Sequence, residues 1–136
     1  MMFNWSQFTS HSGLSLNWKV DCDSFTSEDW VCLATIARQL LQADYREIIG
    51  IYRGGIPFAD ALYERTTTWS HRVNYPVLIV DDVFTTGRSM EEERLKWKEP
   101  VKGLVVFARN PTPAWITPIW TLNAAIKNSQ SRPAAW

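Results

Sequence analysis

Two neighbouring carboxylates, Asp81 and Asp82, stand between an apolar run, Val77-Leu78-Ile79-Val80, and a hydroxyl-rich turn, Thr85-Thr86-Gly87-Arg88-Ser89. Paired acids can hold a diol or a hard cation through oxygen. A turn that carries hydroxyls and a glycine ahead of a helix offers O–H and backbone N–H donors to a phosphate. A sugar phosphate needs both features together. A second candidate lies upstream, where Arg53-Gly54-Gly55 follows Glu47-Ile48-Ile49-Gly50-Ile51-Tyr52. Arg53 supplies a fixed cation, and the two glycines permit positive φ and close backbone approach. Taken alone, each stretch has a plainer reading. The first is then a buried strand ending in solvated acids before an N-capped helix, and the second a tight strand-to-helix turn.

These residues need elements to hold them. Val77 to Val80, mostly β-branched, suit a strand buried on both faces of a parallel sheet. In open α/β sheets ligands bind beyond the carboxyl ends of such strands, where Asp81 and Asp82 fall. Arg88 to Trp97 is predicted as a helix with Glu91, Glu92, Glu93, Lys96 and Lys98 on a solvated face, Glu92 and Lys96 at pairing distance, and Pro100 as its stop. Glu47 to Tyr52 reads as a second buried strand, with Pro57 opening a helix to about Arg65. Gly103 to Ala108, within Lys102 to Arg109, reads as a third strand. Thr26-Ser27-Glu28-Asp29 forms a capping-box pattern. Trp30, Leu33, Ala34, Ala37, Leu40 and Leu41 then recur at helical spacing, predicting a helix to about Ala43. Leu14, Leu16, Trp18 and Val20 alternate with polar residues and predict a half-exposed strand. Strands alternating with helices give an α/β fold with a mainly parallel sheet flanked by helices.

Bulk properties narrow the function. A chain of 136 residues is expected to be one domain. Its net charge is zero and it has no basic block, so binding to nucleic acid or a membrane surface has no electrostatic support. Cys22 and Cys32 make no metal-ligand pattern, and reduced thiols are expected. No basic segment followed by an apolar run opens the chain, and no apolar stretch is long enough for a bilayer. The expected location is cytoplasmic. Eight tryptophans are many for this length, available for packing or for stacking on a planar ligand.

The stretch from Val77 to Ser89 closely resembles the signature of the type I phosphoribosyltransferases, which bind phosphoribosyl pyrophosphate (PRPP). The resemblance implies that Asp81 and Asp82 hold the ribose 2- and 3-hydroxyls and, through water, Mg²⁺ as the cofactor. It implies that Thr85, Thr86, Gly87, Arg88 and Ser89 hold the 5-phosphate, with Arg88 equally readable as a surface residue. Arg53-Gly54-Gly55 is similar to the family's pyrophosphate loop, which often contains a strained peptide. Its implied role is to stabilise the leaving group, which makes Asp81, Asp82 and Arg53 the catalytic candidates. Phe84 departs from the pattern, since an aliphatic residue is usual there, and reads as a packing variation. Phe8-Thr9-Ser10-His11-Ser12-Gly13-Leu14-Ser15 loosely resembles the entry of orotate phosphoribosyltransferases, although the lysine common between that glycine and serine is absent.

The resemblance implies a single domain with a core of about 26–109, a hood from about 8–22 and 110–123, and a tail at 124–136. Trp115 and Trp120, in the hood, are candidates for stacking on a base or for packing. Thr85 stands where many 6-oxopurine enzymes carry an aspartate, which agrees better with a pyrimidine or orotate-like acceptor. The Thr-Gly-Arg-Ser run also resembles pyrimidine-operon regulators of the same fold. A further departure is the connection Thr66 to Tyr75, too short for the long lid that catalytic members place there; His71 and Arg72 are partial substitutes or surface residues. The shortening bears on catalysis more than on binding. Two readings follow: a compact Mg²⁺-dependent phosphoribosyltransferase acting on PRPP and a nucleobase, or a non-catalytic module that binds PRPP or a nucleotide. Family members commonly dimerise, so a homodimer in which a partner subunit covers the site fits the resemblance.

Overall fold

The structure, a computed structural model, describes residues 22–64 and 75–121 and, before them, the backbone of four two-residue strands. These strands are β1 (Phe3–Asn4), β2 (Phe8–Thr9), β3 (Ser15–Leu16) and β4 (Lys19–Val20). β1 pairs antiparallel with β4, and β2 with β3. The single strand expected over Leu14 to Val20 is therefore split between two small ribbons. The short connection with His71 and Arg72, the loop residue His11 and the tail from 124 onward lie outside the described residues.

Helix α1 (Ser27–Leu41) starts as its sequence dictates. Thr26 N–H donates to Asp29 Oδ2 (2.8 Å), and Asp29 N–H donates back to Thr26 Oγ1 (3.2 Å). This reciprocal cap satisfies two donors that the first turn would leave unpaired. Trp30, Leu33, Ala34 and Ala37 are buried as the periodicity predicts. Leu40 is not, and its side chain lies half in solvent.

Four parallel strands follow in simple spatial order: β5 (Glu47–Gly50), β6 (Val77–Phe84), β7 (Val101–Ala108) and β8 (Ile116–Thr121). The parallel α/β architecture expected from the sequence is present. Helix α2 (Ile56–Glu64) joins α1 on one face, over Leu78, Val80, Leu104 and Val106. Helix α3 (Arg88–Arg94) covers the other face through Met90, over Val77, Ile79, Val105 and Ile116. It is shorter than the helix predicted to Trp97. Consequently Glu92 pairs with Arg88 and not with Lys96, whose ammonium reaches Glu93 instead.

β8 was not legible as a strand. Its sequence, Ile-Thr-Pro-Ile-Trp-Thr, contains a proline, which cannot donate to a ladder. β8 lies at the edge of the sheet, where one row of N–H groups needs no strand partner, so Pro118 is accommodated. Part of the segment assigned to a hood over 110–123 is thus the fourth strand of the core sheet. Residues 109–115 return from β7 to β8 without a helix, and Trp115 packs over Gly103 in the helix's place.

The pleat changes phase at one level of the sheet. Along β6, Leu78 and Val80 face α1 and α2, while Val77 and Ile79 face α3. Beyond Asp82 the alternation slips by one residue, so that Val83 joins the first core and Phe84 the second. β7 slips beside it: Val106 and Phe107 both face α1 and α2, and Ala108 faces the other way. Because side chains alternate strictly in a regular strand, this slip re-aims everything after Asp82.

Candidate functional site

The slip falls at the two acids and has a visible local cause. Asp82 N–H donates to Asp81 Oδ1 (2.8 Å), and Val83 N–H donates to Asp82 Oδ1 (2.7 Å). Two successive backbone donors are thus taken by the carboxylates of the preceding residues. Both acids are half-buried. Burial first, and then the hydrogen bond and charge of Asp82, push the Asp81 carboxyl up to about 8. The Asp81 carboxyl is thereby shifted toward its neutral form. Like charges this close cannot both ionise without a cation or donors between them.

β5 ends at Gly50, four residues before β6 does by pairing level, and the chain turns beside Asp82. Gly54 lies directly against the Asp82 side chain, and a Cβ there would occupy the position of the carboxylate. Gly55 is packed against backbone instead. A Cβ on it would stand 2.5 Å from the Val80 carbonyl oxygen and 2.8 Å from the Ile51 nitrogen, both backbone atoms that cannot yield. The glycines are required by close approach to β6, and the approach brings the loop after β5 onto the acids after β6.

The same turn allots its amides. Gly55 N–H donates to the Ile51 carbonyl (2.8 Å), and Ile56 N–H to the Arg53 carbonyl (3.2 Å). The Gly55 amide, a candidate for a leaving group, is thus engaged within the turn. The Gly54 amide has no acceptor among the described residues, and Arg53 is exposed with no ion-pair partner among them. The Tyr52–Arg53 peptide is cis.

The turn after β6 is braced from below and from the side. Gly87 has φ +77°, in the left-handed region, and a Cβ on it would enter the Phe84 ring. Phe84 is buried, so the aromatic at this position fills the floor of the turn. Arg109 N–H donates to the Phe84 carbonyl (2.8 Å), and Asn110 Nδ2 donates to the Thr85 carbonyl (2.6 Å). Arg88 N–H makes a long bond to Thr86 Oγ1 (3.4 Å). The amides of Thr86, Gly87 and Ser89 have no acceptor among the described residues, and Thr86 and Ser89 are exposed. Arg88 turns its guanidinium along α3 to Glu92 (3.1 Å), the geometry of an ordinary helix-surface pair.

The structure thus brings Gly54 to Asp82, with Arg53 and Gly55 flanking it in the chain and Thr85 to Ser89 following at the same end of the sheet. It separates Trp115 from them in role. That indole donates to Glu91 Oε1 (2.9 Å), carries the Arg94 guanidinium 5.0 Å above its ring and fills the space over Gly103. Its contacts are those of packing. Trp120 stacks on Phe107 with centroids 5.4 Å apart and remains partly exposed. Arg109 and Asn110 were missed by sequence reading, because only the β6–β7 register places the end of one strand beside the turn of the other. A separate cavity of about 200 Å³ lies at the opposite end of the sheet, against Tyr45, Ile48, Leu62 and Leu78.

Among the described residues, no group of three or more His, Cys, Asp or Glu side chains could hold a metal by itself. Two half-buried carboxylates crowding one another fit Mg²⁺ of the kind that takes one or two protein carboxylates and completes its shell with water and substrate phosphate. No described helix is long and apolar enough to cross a membrane.

No protein-family model matches the chain, and no curated protein matches it by sequence. Solved structures do match. UMP synthase from Leishmania donovani superposes with a TM-score of 0.70 at 18% identity, over 98% of this chain and 36% of that one. This chain thus spans about a third of that protein. Orotate phosphoribosyltransferase from Aeropyrum pernix superposes with a TM-score of 0.68 at 18% identity, over 96% of this chain and 93% of that one. The Francisella tularensis orotate phosphoribosyltransferase gives 0.61 at 16% identity, over 96% and 85%. With the parallel sheet and the two loops at its carboxyl end, these likenesses show that the chain has the fold of the type I phosphoribosyltransferases.

Proposed function

We propose that this protein binds PRPP and transfers its 5-phosphoribosyl group to a nucleobase, releasing pyrophosphate. The observation that carries the reading is the packing of Gly54 against the Asp82 carboxylate, which makes the Arg-Gly-Gly loop and the acid pair one continuous surface. A pyrophosphate bound by Arg53 and the Gly54 amide would lie beside the carboxylates that hold the ribose diol. A ligand that bridges the two loops fits this surface, and PRPP would do so with its pyrophosphate on C1.

The residues' work is positioning and charge neutralisation. Asp81 and Asp82 accept hydrogen bonds from the ribose 2- and 3-hydroxyls, with any proton on Asp81 released to solvent as the ligand binds. Arg53 balances charge that builds on the departing pyrophosphate as the C1–O bond breaks. Thr86, Gly87 and Ser89 offer amides and hydroxyls to the 5-phosphate, with Thr85 and Arg88 completing the turn. Asp81 and Asp82 would hold Mg²⁺, directly or through water, and the ion would supply further neutralisation of the pyrophosphate. The acceptor is a base nitrogen that bonds C1; a pyrimidine or orotate-like base is the favoured class, since Thr85 offers no carboxylate to a purine ring.

Pyrophosphate release from PRPP and Mg²⁺ across orotate, uracil, adenine, guanine, hypoxanthine and xanthine tests this. Release that depends on one base, and is lost in the Asp81→Asn, Asp82→Asn double variant, is expected. A second reading, a PRPP- or nucleotide-binding module without turnover, is favoured by the short run between α2 and β6, 65–76. It is the result if PRPP binds but no base releases pyrophosphate.

A further inference from the structure

We infer that Asn110 is a positioning residue for the 5-phosphate turn, acting on the Thr85–Thr86 peptide from the loop that follows β7. The inference rests on the proposed assignment of that turn to a phosphate. Asn110 is 25 residues from Thr85, yet its Nδ2 donates to the Thr85 carbonyl at 2.6 Å, the shortest of the side-chain bonds around the turn. A trans peptide points its C=O and its N–H to opposite sides. Holding the Thr85 carbonyl toward Asn110 therefore holds the Thr86 N–H away from it, and that N–H has no acceptor among the described residues. The neighbouring peptide is held the same way, with Arg109 N–H on the Phe84 carbonyl at 2.8 Å.

Three features make this bond specific to the turn. Phe84 and Gly87 fix the turn's floor through the ring beneath Gly87, and neither touches the Thr85 carbonyl in a hydrogen bond. The turn's own internal bond, Arg88 N–H to Thr86 Oγ1, is long at 3.4 Å and does not hold the Thr85 carbonyl. Asn110 is half-buried, so water competes for the carbonyl only in part. Without the amide, the Thr85 carbonyl has no hydrogen-bond partner among the described residues, and the Thr85–Thr86 peptide can rotate and turn the Thr86 N–H out of place.

The pyrophosphate loop has no contact of this kind with Asn110, and the two loops can therefore be tested apart. The probes are ribose 5-phosphate, for the turn, and inorganic pyrophosphate with Mg²⁺, for the loop at Arg53. Calorimetry would compare the native chain with Asn110→Ala and with Asn110→Asp, which keeps the shape but loses the donor. Thermal melting of each would be measured beside it. The expected result is about a three- to tenfold weaker ribose 5-phosphate affinity in both variants, with pyrophosphate affinity unchanged within about twofold. Native-like ribose 5-phosphate affinity in both variants would overturn the inference. Equal weakening of both probes, tracking a lowered melting temperature, would also overturn it by making Asn110 a general structural residue. If the native chain binds pyrophosphate but not ribose 5-phosphate, the assignment of the turn itself fails, and the inference with it.

Discussion

At the scale of single residues, the acid pair sets stability against binding. Asp81 has its proton affinity raised by burial and by Asp82, to about 8 from an unfolded value of 3.8. Between those values the fold keeps a proton that the unfolded chain has released, so stability falls as pH rises. The stability contribution is therefore full below about pH 4 and is lost as pH rises toward 8. Asp81→Asn removes the titrating group and keeps the shape. The expected outcome is a melting temperature that falls less steeply between pH 5 and 8 than the native protein's, together with lost PRPP affinity; melting curves at several pH values check the first part. Parallel pH dependence in the two proteins would show that Asp81 is an ordinary carboxylate. The glycines divide differently. Gly55→Ala would press a methyl on the Val80 and Ile51 backbone, and a destabilisation of about 1–3 kcal/mol by denaturant titration is expected. Gly54→Ala meets a side chain that can move, so its stability should change less while PRPP binding is lost with the displaced Asp82.

At the scale of elements, the strands that carry the candidate chemistry were legible and the ones that brace it were not. Val77 to Val80 and Gly103 to Ala108 are continuous apolar runs, a pattern that only burial on both faces requires. The start of α1 was legible through its reciprocal cap, and the chemistry of Asp81, Asp82 and the two loops through residue type and order. β8 was hidden by Pro118, whose tolerance depends on lying at an edge that only the tertiary arrangement reveals. The pleat slip was equally invisible, because Asp-Asp-Val-Phe reads as strand in either phase. Trp115 was ambiguous in sequence because its contacts are to Glu91 and Arg94 on α3, a helix it meets only after the chain has crossed the sheet. Trp115→Ala is expected to lower stability by about 2–3 kcal/mol, below the range for a fully buried tryptophan, while leaving PRPP affinity within about twofold. A large loss of ligand affinity at unchanged stability would return Trp115 to the binding site.

At the scale of the whole molecule, the chain uses its ends asymmetrically. The carboxyl end of the sheet carries both glycine loops, the acids and Asn110. The other end carries the cavity beside Tyr45 and the Arg46–Glu99 pair (2.9 Å) that ties the start of β5 to the approach of β7. α2 and α3 lie on opposite faces, although β5, β6 and β7 advance across the sheet in one direction. A simple series of right-handed units would place both helices on one face.

The most direct test is a calorimetric titration of PRPP into the native chain with Mg²⁺, repeated with Gly54→Ala. If the two loops form one site where Gly54 touches Asp82, one PRPP should bind per chain, and binding should be lost when a methyl parts them. No binding of PRPP to the native chain would contradict the assignment of both loops. Unchanged binding in Gly54→Ala would contradict the claim that they act as one site.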